Sequence, residues 1–235
     1  MSDKPSIKSK IQTLAILTIL IGFPLLSWYY LTTGYNYQMD ARSELKDYGK
    51  LPQFNFTSHT GGTYTSDSLE NTMSVISFFG KDGKKNQEMF NVMRKLNTQF
   101  GDNPNLELLI VSIESQEDTP GVLAGIFAVN QFNAKQHHFL TSSNPDVQKW
   151  IGEGIKVPTK WEAKENAPTD IQLEENKSGE IGDYPFFILV DKKQMIRNFY
   201  HVDKEDEVKR MVEHIAILLP REIKPDIEMK EKKEL

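Results

Sequence analysis

Residues 73–113 read MSVISFFGKDGKKNQEMFNVMRKLNTQFGDNPNLELLIVSI, and the order of patterns inside this stretch decides the fold. Met73 to Phe79 is a short apolar run rich in β-forming residues, as expected of a strand buried on both faces. From Glu88 to Phe100, the residues Met89, Val92, Met93, Leu96 and Phe100 recur at helical spacing and give a helix one apolar face. Leu106 to Ile113 is a second buried strand. Strand, helix and strand in this order predict a parallel pair joined by a crossover helix.

Toward the C-terminus, Thr119-Pro120 opens a helix running to about Asn130, with Thr119 as N-cap and Pro120 at the first helical position. His137 to Leu140 predicts a short edge strand, and Asn144 begins a helix ending near Gly152. Residues 152–183 lack apolar periodicity, contain Pro158 and Pro168, and read as a long loop. Phe186 to Val190 and Met195 to Tyr200 form a hairpin across Asp191-Lys192-Lys193. Val208, Met211, Val212, Ile215, Leu218 and Leu219 stripe a final helix. On the N-terminal side, Leu51 to Phe56 alternates apolar and polar residues, and His59-Thr60-Gly61-Gly62 turns the chain into Thr63-Tyr64-Thr65. The whole is an α/β pattern of thioredoxin-like order over residues 51–220: a central mixed sheet flanked by helices, preceded by an N-terminal β-hairpin. Residues 221–235 are charged and predicted to be a disordered tail.

Ahead of this domain, no charged residue occurs from Ile11 to Met39, and Leu14 to Leu31 is strongly apolar. About 20 such residues cross the hydrocarbon core of a bilayer. The nine Leu, Ile and Phe side chains of Leu14–Leu26 favour insertion by about 4 kcal/mol together. Trp28, Tyr29 and Tyr30 sit where an interfacial aromatic belt belongs. A cleaved signal peptide is the rival reading, but no small-x-small site follows the run, and the run exceeds a typical signal core. The expected organisation is therefore a tail at 1–10, a transmembrane anchor at 11–33, a polar tether or short stalk helix at 34–50, and the domain beyond. Lys4, Lys8 and Lys10 place the N-terminus in the cytoplasm and the domain on the periplasmic side of an inner membrane.

The chain carries a formal charge of −5, and its basic head leaves the rest more acidic still. With no clustered Lys and Arg stripe, nucleic-acid binding is disfavoured. The cysteine count is zero, which removes disulfides, zinc–thiolate sites and dithiol redox chemistry together.

Three segments resemble the Sco (SenC) family, membrane-anchored thioredoxin-fold proteins that help load copper into cytochrome c oxidase. They are PQFNFTSHTG at Pro52–Gly61, SIESQEDTPGVL at Ser112–Leu123, and Phe186–Asp191 with the hairpin and helix up to Leu219. The resemblance implies a copper site built from a CxxxC pair on the loop after the first central strand and a distant His. In this chain those positions fall on Asp82, Asn86 and Asp183 (or Tyr184 with a one-residue shift), so all three ligands are missing, and an Asp-Pro pair of the family becomes Glu114-Ser115. Cuprous copper takes soft sulfur or imidazole, whereas these side chains offer hard oxygen and amide groups. The resemblance thus implies a degenerate copper site, no cofactor, and respiratory assembly proteins as partners.

Asp82, Asn86 and Asp183 offer oxygen ligands suited to a hard cation, but Lys81, Lys84 and Lys85 make that loop repel one. His137-His138, helped by His59 or His201, is a candidate copper site; however, adjacent strand residues point to opposite faces. Met89, Met93 and Met211 lie on apolar stripes and read as core fillers. Tyr184-Pro185-Phe186-Phe187 occupies the place where thioredoxins put a cis-proline. Trp150 and Trp161 either mark a binding surface or, for Trp150, close the core. Three functions stay open: a non-catalytic scaffold or accessory protein, copper handling through His and Met, and an enzyme with another site.

Overall fold

The computed structural model describes residues 7–80, 83–101, 103–113, 117–133, 135–142, 146–155 and 186–219. The N-terminal unit is helical: α1 (Ile7–Leu17), a π-helical turn (Thr18–Gly22) and α2 (Phe23–Glu44). Pro24 explains the wide turn. It has no N–H for the carbonyl of residue 20 and its ring crowds that oxygen, so the helix opens just ahead of it. The hydroxyl of Thr18 donates to Leu14 O at 2.9 Å, and those of Thr32 and Thr33 to Trp28 O and Tyr29 O at 2.6 and 2.8 Å. These three hydroxyls are thereby satisfied from within the helix, an arrangement that hydrocarbon surroundings would tolerate. Leu14–Glu44 is a helix long and apolar enough to cross a membrane.

The second unit, from Leu45 onward, is built on a seven-stranded sheet. Its elements are β1 (Asn55–Ser58), β2 (Thr63–Thr65), β3 (Met73–Phe79), α3 (Gly83–Phe100), β4 (Leu106–Ser112), α4 (Pro120–Val129), β5 (His137–Thr141), α5 (Asp146–Lys149) continued by a π-helical turn (Trp150–Ile155), β6 (Phe186–Val190), β7 (Ile196–His201) and α6 (Glu205–Leu218). The sheet order is β2-β1-β5-β4-β3-β6-β7, with β3, β4 and β5 parallel and the remaining pairings antiparallel. This is the mixed, thioredoxin-like sheet with an N-terminal hairpin that the sequence pattern predicts.

Period-two alternation sorts the strand residues between two cores. Val75, Leu108, Ile110, Phe187 and Leu189 face α3, α4 and α6, meeting Met89, Met93 and Leu96, then Leu123, then Met211 and Ile215. Ile76, Phe78, Leu109, Val111, Ile188 and Val190 face the other way, under Phe54, Phe56, Trp150 and Ile151. Each fully buried side chain of this size contributes about 1.5–3 kcal/mol.

Two features differ from the sequence reading. The strand at His137–Thr141 is not an edge strand, because β1 pairs with its outer side through Thr57–Thr141 and Ser58–Leu140. The hairpin lies far away in sequence, so local pattern does not reveal that it covers this edge. Second, residues 45–51 lie along the outer edge of β7, with Lys46 N donating to Arg197 O, Tyr48 N to Ile196 O and Leu51 N to Gln194 O at 2.7–3.1 Å.

Candidate functional site

The three parallel strands end together at Phe79, Ser112 and Thr141, the side of an α/β sheet where ligands are usually met. The chain leaves β3 through Gly80 and regains regular structure at Gly83, the start of α3. Asn86, in the first turn of that helix, reaches back over the loop. Its Nδ2 donates to Gly80 O at 2.7 Å and its Oδ1 accepts from Gly80 N at 3.3 Å. Both ends of the amide are therefore engaged with Gly80. Of the other expected positions, Asp82, Asp183, Glu114-Ser115, Trp161 and Tyr184-Pro185 lie outside the described residues.

Beside this loop, α3 and α4 enclose a groove of about 500 Å³. Phe79 and Phe90 form its apolar floor, Asn86 and Gln87 stand on the α3 side, and Glu117 and Asp118 mark one end. The Ser112 hydroxyl donates to Asp118 Oδ2 at 2.5 Å, which ties the approach to α4 onto the end of β4. Thr119 then caps α4 by accepting from Val122 N, and Pro120 occupies the first turn as its fixed φ favours. The helix PGVLAGIFAV carries no polar side chain. Only Leu123 is fully buried, while Val122 is 46% and Val129 82% exposed. A surface helix that is apolar all round lacks the polar outer face a solvated helix normally shows. The arrangement offers contact area, amide groups and the Ser112–Asp118 hydroxyl–carboxylate pair.

The histidines are placed separately. His137 is fully buried on the α3 side, with Nδ1 at 3.3 Å from Asn133 O and Nε2 enclosed without a hydrogen-bond partner; burial pushes its pKa down to about 4. His138 faces the opposite core, its ring centroid 4.8 Å from that of Tyr64 and its Nε2 3.7 Å from Glu107 Oε2; burial lowers it to about 4 as well. The Tyr64 hydroxyl donates to the same Glu107 oxygen. Burial raises the Glu107 carboxyl, and this hydrogen bond only partly offsets it. His59 stacks on Phe127 of α4 at 4.4 Å, while Phe139 N donates toward its Nδ1 at 3.4 Å. His201 is held at the start of α6: its backbone N–H and Nδ1 lie 2.7 and 2.9 Å from Glu207 Oε2. Burial pushes the Glu207 carboxyl up, but the bonds from His201 and Lys204 leave it below the ordinary range.

Among the described residues, no three His, Cys, Asp or Glu side chains are grouped to hold a metal ion. Met89 accepts from the Ser77 hydroxyl at 3.3 Å, and Met93 and Met211 are fully buried core residues. Trp150 closes the second core: its Nε1 donates to Pro52 O at 3.1 Å, and its ring lies 5.3 Å from those of Phe54 and Phe56. Sequence reasoning missed the Tyr64–Glu107–His138 cluster, although Glu107 as the sole charge within the apolar run Leu106–Ile113 was a usable signal. It also missed the α3–α4 groove, which two separate helices create.

No family model and no curated protein matches the chain. Solved structures of the same fold do. BsSco, described as a member of the Sco family of cytochrome c oxidase assembly proteins, is 14% identical with a TM-score of 0.54, over 74% of this chain and 97% of that one. A SCO1/SenC family lipoprotein from Bacillus anthracis is 13% identical with a TM-score of 0.56, over 72% and 94%. Copper-bound ScoI from Arabidopsis thaliana is 13% identical with a TM-score of 0.51, over 71% and 99%. At these identities the likeness establishes the fold.

Proposed function

We propose that this chain is a membrane-anchored, Sco-like protein that serves cytochrome c oxidase assembly as a non-catalytic accessory or scaffold. The observation that carries the reading is a Sco-type sheet whose loop after β3 has no cysteine and whose Asn86 amide is spent on Gly80. The donor set at the inherited positions, two carboxylates and an amide, is hard and does not fit a cuprous ion. Without thiolates there is no attacking group for disulfide exchange. What remains at this end of the fold is contact surface: the α3–α4 groove and the exposed apolar side of α4. Apolar surface of this kind, rimmed by polar groups, supports protein recognition.

In this reading residues 1–10 lie in the cytoplasm, 11–33 span the inner membrane, 34–50 connect, 51–220 form the extracytoplasmic domain, and 221–235 are a charged tail. Crosslinking in native membranes followed by capture of the full chain tests the function. Oxidase subunits or their assembly proteins are the expected partners, and Val122→Asp with Val129→Asp should reduce their recovery severalfold without changing the amount of protein in the membrane. Recovery of none of them, or recovery indifferent to the double variant, counts against the reading. Submicromolar binding of cuprous ion by the full chain in detergent would transfer support to His- and Met-based copper handling.

A further inference from the structure

The end of the sheet opposite the groove holds a second pocket, of about 330 Å³, beside the turn between β6 and β7. Its charged lining is Lys192, Lys193 and Arg197 against Asp47 and Asp191. Both carboxylates are engaged in backbone turns. Asp191 Oδ1 accepts from Lys193 N and Met195 N at 2.8 and 3.0 Å, and Asp47 Oδ1 accepts from Gly49 N at 3.0 Å. Arg197 differs from them. Val190 pairs with Ile196 and Leu189 with Asn198, so Arg197 is the extra residue of a β-bulge, a device that re-aims a side chain. Its Nε is buried with no hydrogen-bond partner, and its Nη1 reaches Asp191 Oδ2 only at 3.8 Å, beyond hydrogen-bond length. The Nε edge is sealed off, so what Arg197 offers the pocket is its terminal Nη groups, with Asp191 beyond hydrogen-bond length, and such N–H groups are suited to an oxyanion.

We propose that this pocket binds the phosphate group of a small phosphate ester, with Arg197 as its anchor. Lys192 and Lys193 supply two further cations, and the side-chain amides of Asn71 and Asn105 two further polar groups. That set exceeds what the two oxygens of a carboxylate can use and matches the three terminal oxygens of a phosphate. Met73, Met195 and Leu218 line the rest and give the ester's organic arm an apolar seat. A chain with a helix able to cross a bilayer meets this chemistry both free in solution and on lipid headgroups.

The test uses the full chain in a maltoside detergent, titrated with inorganic phosphate and with glycerol phosphate, and, in a separate arm, reconstituted into nanodiscs of phosphatidylglycerol or phosphatidylcholine. Saturable binding of the free anions that Arg197→Gln weakens by about tenfold or more supports the site with a soluble ligand. Failure of the free anions, combined with stabilisation by phosphatidylglycerol that Arg197→Gln removes, supports it with a lipid ligand. The exposed pair Lys192→Gln with Lys193→Gln, which disturbs no packing, should weaken either by about threefold. Absence of binding in both arms, or binding that neither variant weakens, overturns the proposal.

Discussion

Asn86, which the proposed function places at a former ligand position, has a structural task in this fold. Its two hydrogen bonds to Gly80 close the loop at the start of α3, and each such bond in a half-buried setting contributes about 1 kcal/mol net. Replacing it with alanine should lower stability by about 1–2 kcal/mol, or a melting temperature by roughly 2–8 °C for a chain of this size. Thermal unfolding of the full chain in detergent measures this, and an unchanged midpoint would show that the clamp is not needed. The same arithmetic bears on any attempt to restore copper binding with Asp82→Cys, Asn86→Cys and Asp183→His, since that triple variant loses the clamp too. Absence of cysteine was plain in the sequence. The clamp was not, because an Asn in a lysine-rich loop carries no local sign of where its amide points.

At the scale of elements, the helix Leu14–Glu44 carries the topology proposal. Three lysines before Ile11 bias the N-terminus toward the cytoplasm. A reporter fused after Leu235 that works only outside the cytoplasm should therefore be active, and one that works only inside should be silent; the reverse pattern would invert the proposed orientation. Element identity was legible wherever periodicity was long, as in β3, α3, β4 and α6. Thr119-Pro120 also marked the start of α4, because cap and fixed φ are local properties. Pairing was less legible. The interior position of β5 depends on the distant hairpin β1–β2, and the run of residues 46–51 beside β7 is carried by backbone bonds, to which side-chain pattern is blind. The α3–α4 groove was hidden for a related reason, since each helix alone shows only one wall.

For the molecule as a whole, the buried histidines set a pH dependence. His137 and His138 have folded pKa values of about 4 against 6.5 unfolded, so the unfolded chain binds protons first as pH falls. Their contribution is complete above pH 6.5 and is lost progressively from there toward pH 4, at a cost on the order of 3 kcal/mol for each. Glu107 acts oppositely: with its carboxyl pKa raised, the folded state takes up that proton first, so stability is gained as pH falls through the raised value toward the ordinary carboxylate one, and nothing further is gained below it. The full chain should melt at progressively lower temperature between pH 6.5 and 4.5, and His137→Asn should flatten that slope. A slope unaffected by the variant would remove His137 from the account.

The pairing of residues 46–51 with β7 has a consequence in time. About 150 residues separate the two partners, so the sheet cannot close its last edge until nearly the entire domain has been synthesised. Contacts so distant along the chain make for slow folding, because the loop must be closed before the bonds that reward closure exist. A chain ending at Val190 would hold β6 without β7, and would present the unpaired outer side of β6 to any exposed strand nearby. Under the proposed topology, delivery of this domain across a membrane favours a route that keeps the polypeptide extended until β7 has arrived, and arrival of β7, not of the first strands, becomes the event that starts the clock.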